Sequence, residues 1–125
     1  MKKLMTLVLV FTVTAMSFAQ KDEVKALEKA LKKSNFADAK SAAAAAEGMM
    51  SNMDDKMKAK FLFLKSQALY ANGAASDSDL DKTITTLEEL KNHESSIGKL
   101  RYTEDANEMK TKIYNSFLTK ANSAF

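Results

Sequence analysis

Few residues in this chain have the type and spacing to do chemistry. His93 is the only histidine, and there is no cysteine. Acid–base or metal chemistry at His93 would need a partner of that kind, and none exists. Near the C-terminus of a predicted helix, its role reads as a surface or capping one. Asp77, Asp79 and Asp81 alternate like the start of a calcium loop. Such a loop also needs a central glycine and a terminal bidentate glutamate, and neither falls at the required offset. Asp77 or Asp79 reads better as a helix N-cap. Met49, Met50, Met53 and Met57 form the last cluster. Copper sites add histidine or tighter methionine spacing, so these flexible thioethers read as gap fillers where a loop covers the core. No phosphate-binding glycine loop, Ser/His pair or aromatic–basic surface for single strands occurs. The sequence is read as that of a non-enzyme with no cofactor and no metal.

The ends and the composition narrow the setting. Lys2 and Lys3 precede an apolar run, Leu4 to Met16, and Ser17-Phe18-Ala19 supplies small residues at the positions a signal peptidase reads. Residues 1–19 are expected to be a signal peptide cleaved after Ala19, and the run is short for a membrane span, which needs about 20 apolar residues. Without it, Lys+Arg falls from 19 to 17 against 16 Asp+Glu, so the formal charge drops from +3 to +1. A nearly neutral chain gives no reason to expect nucleic acid or an anionic membrane as partner. Exported and cysteine-free, it must hold itself with an apolar core, and about 106 residues suffice for one domain.

The elements are helices throughout. Proline is absent, there are three glycines, and good helix formers dominate. Apolar spacing predicts a first helix over about 22–33, with Val24, Leu27, Ala30 and Leu31 inward. A second, Phe36 to Glu47, turns in Phe36, Ala39, Ala43 and Ala46, small enough for close helix packing. The third runs from about Asp55 to Asn72, capped by Asp54 or Asp55 and ended by Gly73. Its stretch AKFLFLKSQALYANG is apolar on more than one side, which marks a central helix. The fourth spans Leu80 to about His93, with Leu80, Ile84, Leu87 and Leu90 as the buried stripe and Thr83 beside it. The last starts at an N-cap Thr103 and runs to the end, lined by Ala106, Met109, Ile113, Phe117, Ala121 and Ala124.

Internal similarity adds an architecture. Phe36, Ala39, Ala43 and Ala46 match Leu80, Thr83, Leu87 and Leu90, an offset of about 44 residues. Leu62, Ser66 and Leu69, followed by Gly73, give a large–small–large helix, and Phe117, Ala121 and Ala124 repeat the pattern. On these residues the chain resembles the tetratricopeptide repeat family, whose unit is about 34 residues. Two insertions of about five residues, at the Met-rich loop and at Ala74 to Ser78, account for the longer period. Leu27 stands where that family has a small residue, and the family's helix-ending proline is absent.

The resemblance implies an all-α fold of antiparallel hairpins stacked as a short right-handed solenoid, with units over 22–47 and 55–93 and a partial third over 104–125. It implies protein–protein interaction in the bacterial envelope or outside the cell, through the inner face of the first helix of each unit. In the central helix that face would carry Lys60, Phe63, Gln67 and Tyr70, and Tyr70 has the aromatic body and polar tip of an interface anchor. The competing role for Phe63 and Tyr70 is packing against the first or last helix. A final helix ending in Ala124-Phe125 is a poor polar cap. The alternative expectation is therefore an N-terminal part of a larger repeat protein, with self-association through the last helix as a corollary. A further alternative is a small helical carrier of apolar ligands.

Overall fold

The computed structural model describes residues 19–123. Among these residues there are five helices and no strand, so the chain is all-α. α1 is described over residues 19–32. It is followed by α2 (Phe36–Glu47), α3 (Asp55–Tyr70), α4 (Asp77–Ile97) and α5 (Thr103–Ser123). Short 3-10 turns, Met50–Asn52 and Ala71–Gly73, follow α2 and α3. Apart from Ala19, the segment read as a signal peptide lies outside the described residues.

The helix starts follow from their side chains. Asn35 caps α2, its Oδ1 accepting from the Asp38 amide at 3.2 Å. Asp54 caps α3 by accepting from the Met57 amide at 2.7 Å. At α4 the expectation needs correcting: the cap is Ser76, whose Oγ accepts from the Asp79 amide at 3.2 Å. Ser76 and Asp79 have the S-x-x-D/E spacing of a capping box, and because the helix starts at Asp77 both aspartates lie inside its first turn rather than at the cap. Asp79 is instead ion-paired with Lys40 at 2.7 Å, and Asp77 with Lys120 at 2.7 Å.

The helix ends differ from the predicted ones. α3 stops at Tyr70, not Asn72, because Ala71 already turns left-handed (φ 49°, ψ 43°) and its amide bonds back to the Gln67 carbonyl. Asn72 (φ 52°) and Gly73 (φ 92°) continue the positive-φ run. α4 runs past His93 to Ile97 and stops at Gly98, which takes the left-handed conformation (φ 71°).

Two apolar clusters share α3. Val24, Leu27 and Ala30 of α1 meet Ala39, Ala43 and Ala46 of α2 and Phe61, Leu64 and Ala68 of α3, with Met53 closing the loop side. On the other side, Ala59 and Leu62 of α3 meet Leu80, Leu87 and Leu90 of α4 and Ala106 and Ile113 of α5. Met50 packs against both, as a pliable thioether can. α3 is thus the central helix, with Phe61 and Leu62 turned into different clusters. Ser66 is fully buried where α3 is narrow, and its hydroxyl donates to the Leu62 carbonyl of its own helix at 2.8 Å. Ala121, expected to face inward, is exposed; no described helix lies beyond α5 to cover it.

Ion pairs and stacked rings fix the helix directions. Lys110 pairs with Glu88 and Lys120 with Asp77, so α4 and α5 run antiparallel. Glu28 of α1 meets Lys60 of α3 at 3.3 Å, and Leu31, one turn on, lines the same groove as Phe63. Phe63 stacks on Tyr102, and Tyr70, two turns on, lines that groove with Met109. Residue numbers rise together in both pairs of helices, so α1, α3 and α5 point the same way.

Candidate functional site

That shared direction leaves a groove of about 530 Å³ along the three helices. Its base comes from α3: Phe63, Gln67 and Tyr70 recur at one-turn spacing and so share one face. Leu31 at the end of α1, Ser34 in the turn after it and Phe36 at the start of α2 form one wall. Asp105, Glu108, Met109 and Lys112 of α5 form the other, again at three- and four-residue spacing. Asn72, in the left-handed turn after α3, closes the end.

Three of the four residues expected at a binding face therefore lie together. Phe63 is half-buried and stacked on Tyr102, with ring centroids 4.9 Å apart and planes at 19°. Its packing against the approach to the last helix and its place in the groove are both real. Gln67 and Tyr70 are half-buried in the same groove. Lys60 is set apart: it does not line the groove, and its ammonium is drawn to Glu28. Phe36, expected in the core, is half-buried and reaches the groove wall.

The α5 wall is positioned by a residue the sequence reading missed. Glu94 is 1% exposed, on the buried side of α4. Its carboxylate accepts from the Arg101 amide at 2.8 Å, the Tyr102 amide at 2.9 and 3.1 Å, and the Thr103 hydroxyl at 2.8 Å. Thr103 is thus not the N-cap of α5. It is the first helical residue, and its hydroxyl is turned back to Glu94. A carboxylate from the preceding helix takes over the capping role, and its charge suits the positive end of α5. The clasp also holds Tyr102 where it can stack on Phe63. The signal was present: Leu80, Leu87 and Glu94 are spaced by seven, which puts the carboxylate in the buried stripe.

His93 is used structurally. His93 Nε2 donates to the Asp55 carbonyl at 2.9 Å, tying α4 to the start of α3 rather than capping its own helix, which continues for another turn. Among the described residues, no three His, Asp or Glu side chains gather where they could hold a metal ion. No described helix is long and apolar enough to cross a membrane.

Comparison of the chain with protein-family models, with curated proteins and with solved structures finds no significant match. The class that stands is therefore the one the structure defines: an all-helical protein with a central helix, two apolar clusters and an aromatic-based groove.

Proposed function

We propose that this chain is an exported, non-enzymatic interaction module of the bacterial cell envelope, of tetratricopeptide-like build, whose groove holds a segment of another protein. The observation that carries this reading is the convergence of Phe63, Gln67 and Tyr70 with a second wall from α5 around about 530 Å³. Ligand clefts commonly enclose about 300–1,000 Å³, and this one sets aromatic and aliphatic side chains among polar and charged ones. The common direction of α1, α3 and α5 supports the repeat build, in which first helices line an inner face. The lysine-led apolar run before Ala19 supports export.

The test is a pair of substitutions, Gln67→Ala and Tyr70→Ala. A photocrosslinker at Asn72 should join the protein to a defined partner segment in intact envelopes, and the pair should abolish that product. Far-UV circular dichroism should stay near wild type. A strong loss of helicity would make these residues core, and an unchanged crosslink would place the binding face elsewhere.

A further inference from the structure

The charges around the groove identify the chemistry of its occupant. On the α5 wall, Asp105 makes no ion pair or side-chain hydrogen bond among the described residues. Glu108 meets only Lys112, at 3.5 Å, and both side chains are well exposed. Exposed pairs one turn apart hold each other only weakly, so Lys112 leaves Glu108 open to a better partner. Lys60, one turn before Phe63 on α3, is already drawn to Glu28. The wall thus offers two carboxylates against one lysine, beside rings of Phe63, Tyr70 and Phe36. Aromatic faces attract cations, and a positive group between them and a carboxylate gains from both.

We propose that the groove takes a basic–apolar peptide segment: an extended stretch in which Lys or Arg alternates with aliphatic or aromatic residues. The proposal rests on the groove being a binding face. The apolar side chains would cover Leu31, Phe63 and Met109, and the cations would meet Asp105 and Glu108.

The test uses protein purified from cells expressing the full 125-residue sequence. Three labelled peptides of the same apolar pattern carry Arg, Gln or Glu at the alternate positions, and binding is read by fluorescence polarisation. The Arg peptide should bind roughly tenfold more tightly than the Gln peptide at low salt, with the Glu peptide weakest. The gap should shrink as salt shortens the reach of exposed charges. Asp105→Asn with Glu108→Gln should remove the Arg preference while leaving Gln-peptide binding in place. Equal binding of the Arg and Gln peptides, or preference for Glu, overturns the charge assignment. In that case the groove still stands if Tyr70→Ala weakens whichever peptide binds. Failure of all three peptides to bind overturns both.

Discussion

Helices α3 and α5 face the same groove but are held by different physics. α3 buries Ala59, Phe61, Leu62, Leu64, Ser66 and Ala68, and apolar clusters close on it from two sides. α5 is longer yet buries only Ala106 and Ile113. Its attachment is polar at the start, where Glu94 gathers two amides and a hydroxyl, and electrostatic along its length, through Lys110–Glu88 and Lys120–Asp77. Tyr114 and Leu118 remain 51% and 65% exposed. A groove whose base is set by dispersion and area, and whose α5 wall rests on a smaller apolar contact and a few directed bonds, should open from that wall. Local opening is cheapest where buried apolar contacts are fewest.

The largest break is Phe61→Ala. Phe61 is fully buried in the N-terminal cluster, and truncating a buried phenylalanine costs about 3–5 kcal/mol. Because α3 belongs to both clusters, the whole domain should lose stability together. Urea denaturation followed by circular dichroism should show the midpoint fall in a single transition. Two separated transitions would mean that the clusters unfold independently and that α3 does not couple them.

The next break is Glu94→Ala, at about 2–3 kcal/mol, because amides that bonded to a charged group are left without an acceptor. Here the effect should be local. Hydrogen exchange should accelerate at Arg101 to Ala106 while amides in the middle of α3 keep most of their protection. Uniform acceleration would show that α5 is as integral as α3. The same substitution releases Tyr102, so peptide binding in the groove should weaken although no groove-lining residue has changed.

These two residues also show what was legible. Phe61 lies in an unbroken apolar run, and that run alone marks its helix as apolar on more than one side and so central. The bounds of α2, Phe36 to Glu47, follow from Asn35 before it and Gly48 after it. Glu94 was not legible by residue type, since glutamate defaults to a solvated face; only its seven-residue spacing from Leu87 marks it as buried. The groove was half legible for a similar reason. The residues from α3 share one helix face and can be read from spacing. Asp105, Glu108 and Lys112 enter only through how α5 docks, which depends on the Glu94 clasp and on contacts distant in sequence. Lys60 shows the converse: the right side of the helix by spacing, but claimed by Glu28 of a neighbouring helix.

A smaller effect of opposite sign is expected at the end of α3. Ala71 is left-handed, a conformation costing a non-glycine residue about 1–2 kcal/mol, part of which glycine returns as unfolded-chain entropy. Ala71→Gly should therefore stabilise the protein by about 0.5–1 kcal/mol, seen as a higher melting temperature. The turn carries Asn72 into the groove, so the same variant reports whether its conformation is needed for binding. Raised stability with unchanged peptide affinity would make the left-handed alanine a plain helix stop. Raised stability with weaker affinity would tie the strain to the site.

The smallest effect is the sharpest test of the α5 side. Leu118 is largely exposed, so Leu118→Ser should change the stability of the monomer by no more than about 0.5 kcal/mol. Tyr114 and Leu118 are one turn apart and both stand clear of the core, whereas Phe117 between them packs inward with Met109 and Ile113. If the outer face of α5 is bare in solution, the substitution leaves sedimentation and melting unchanged at every protein concentration. If a second copy covers it, melting of the wild type rises with concentration and Leu118→Ser removes that dependence. In that second case α5 would be buried on two sides as α3 is. The contrast between α3 and α5 would then belong to the isolated chain only, and the Glu94 substitution should cost less protection in the assembled protein than in the dilute one.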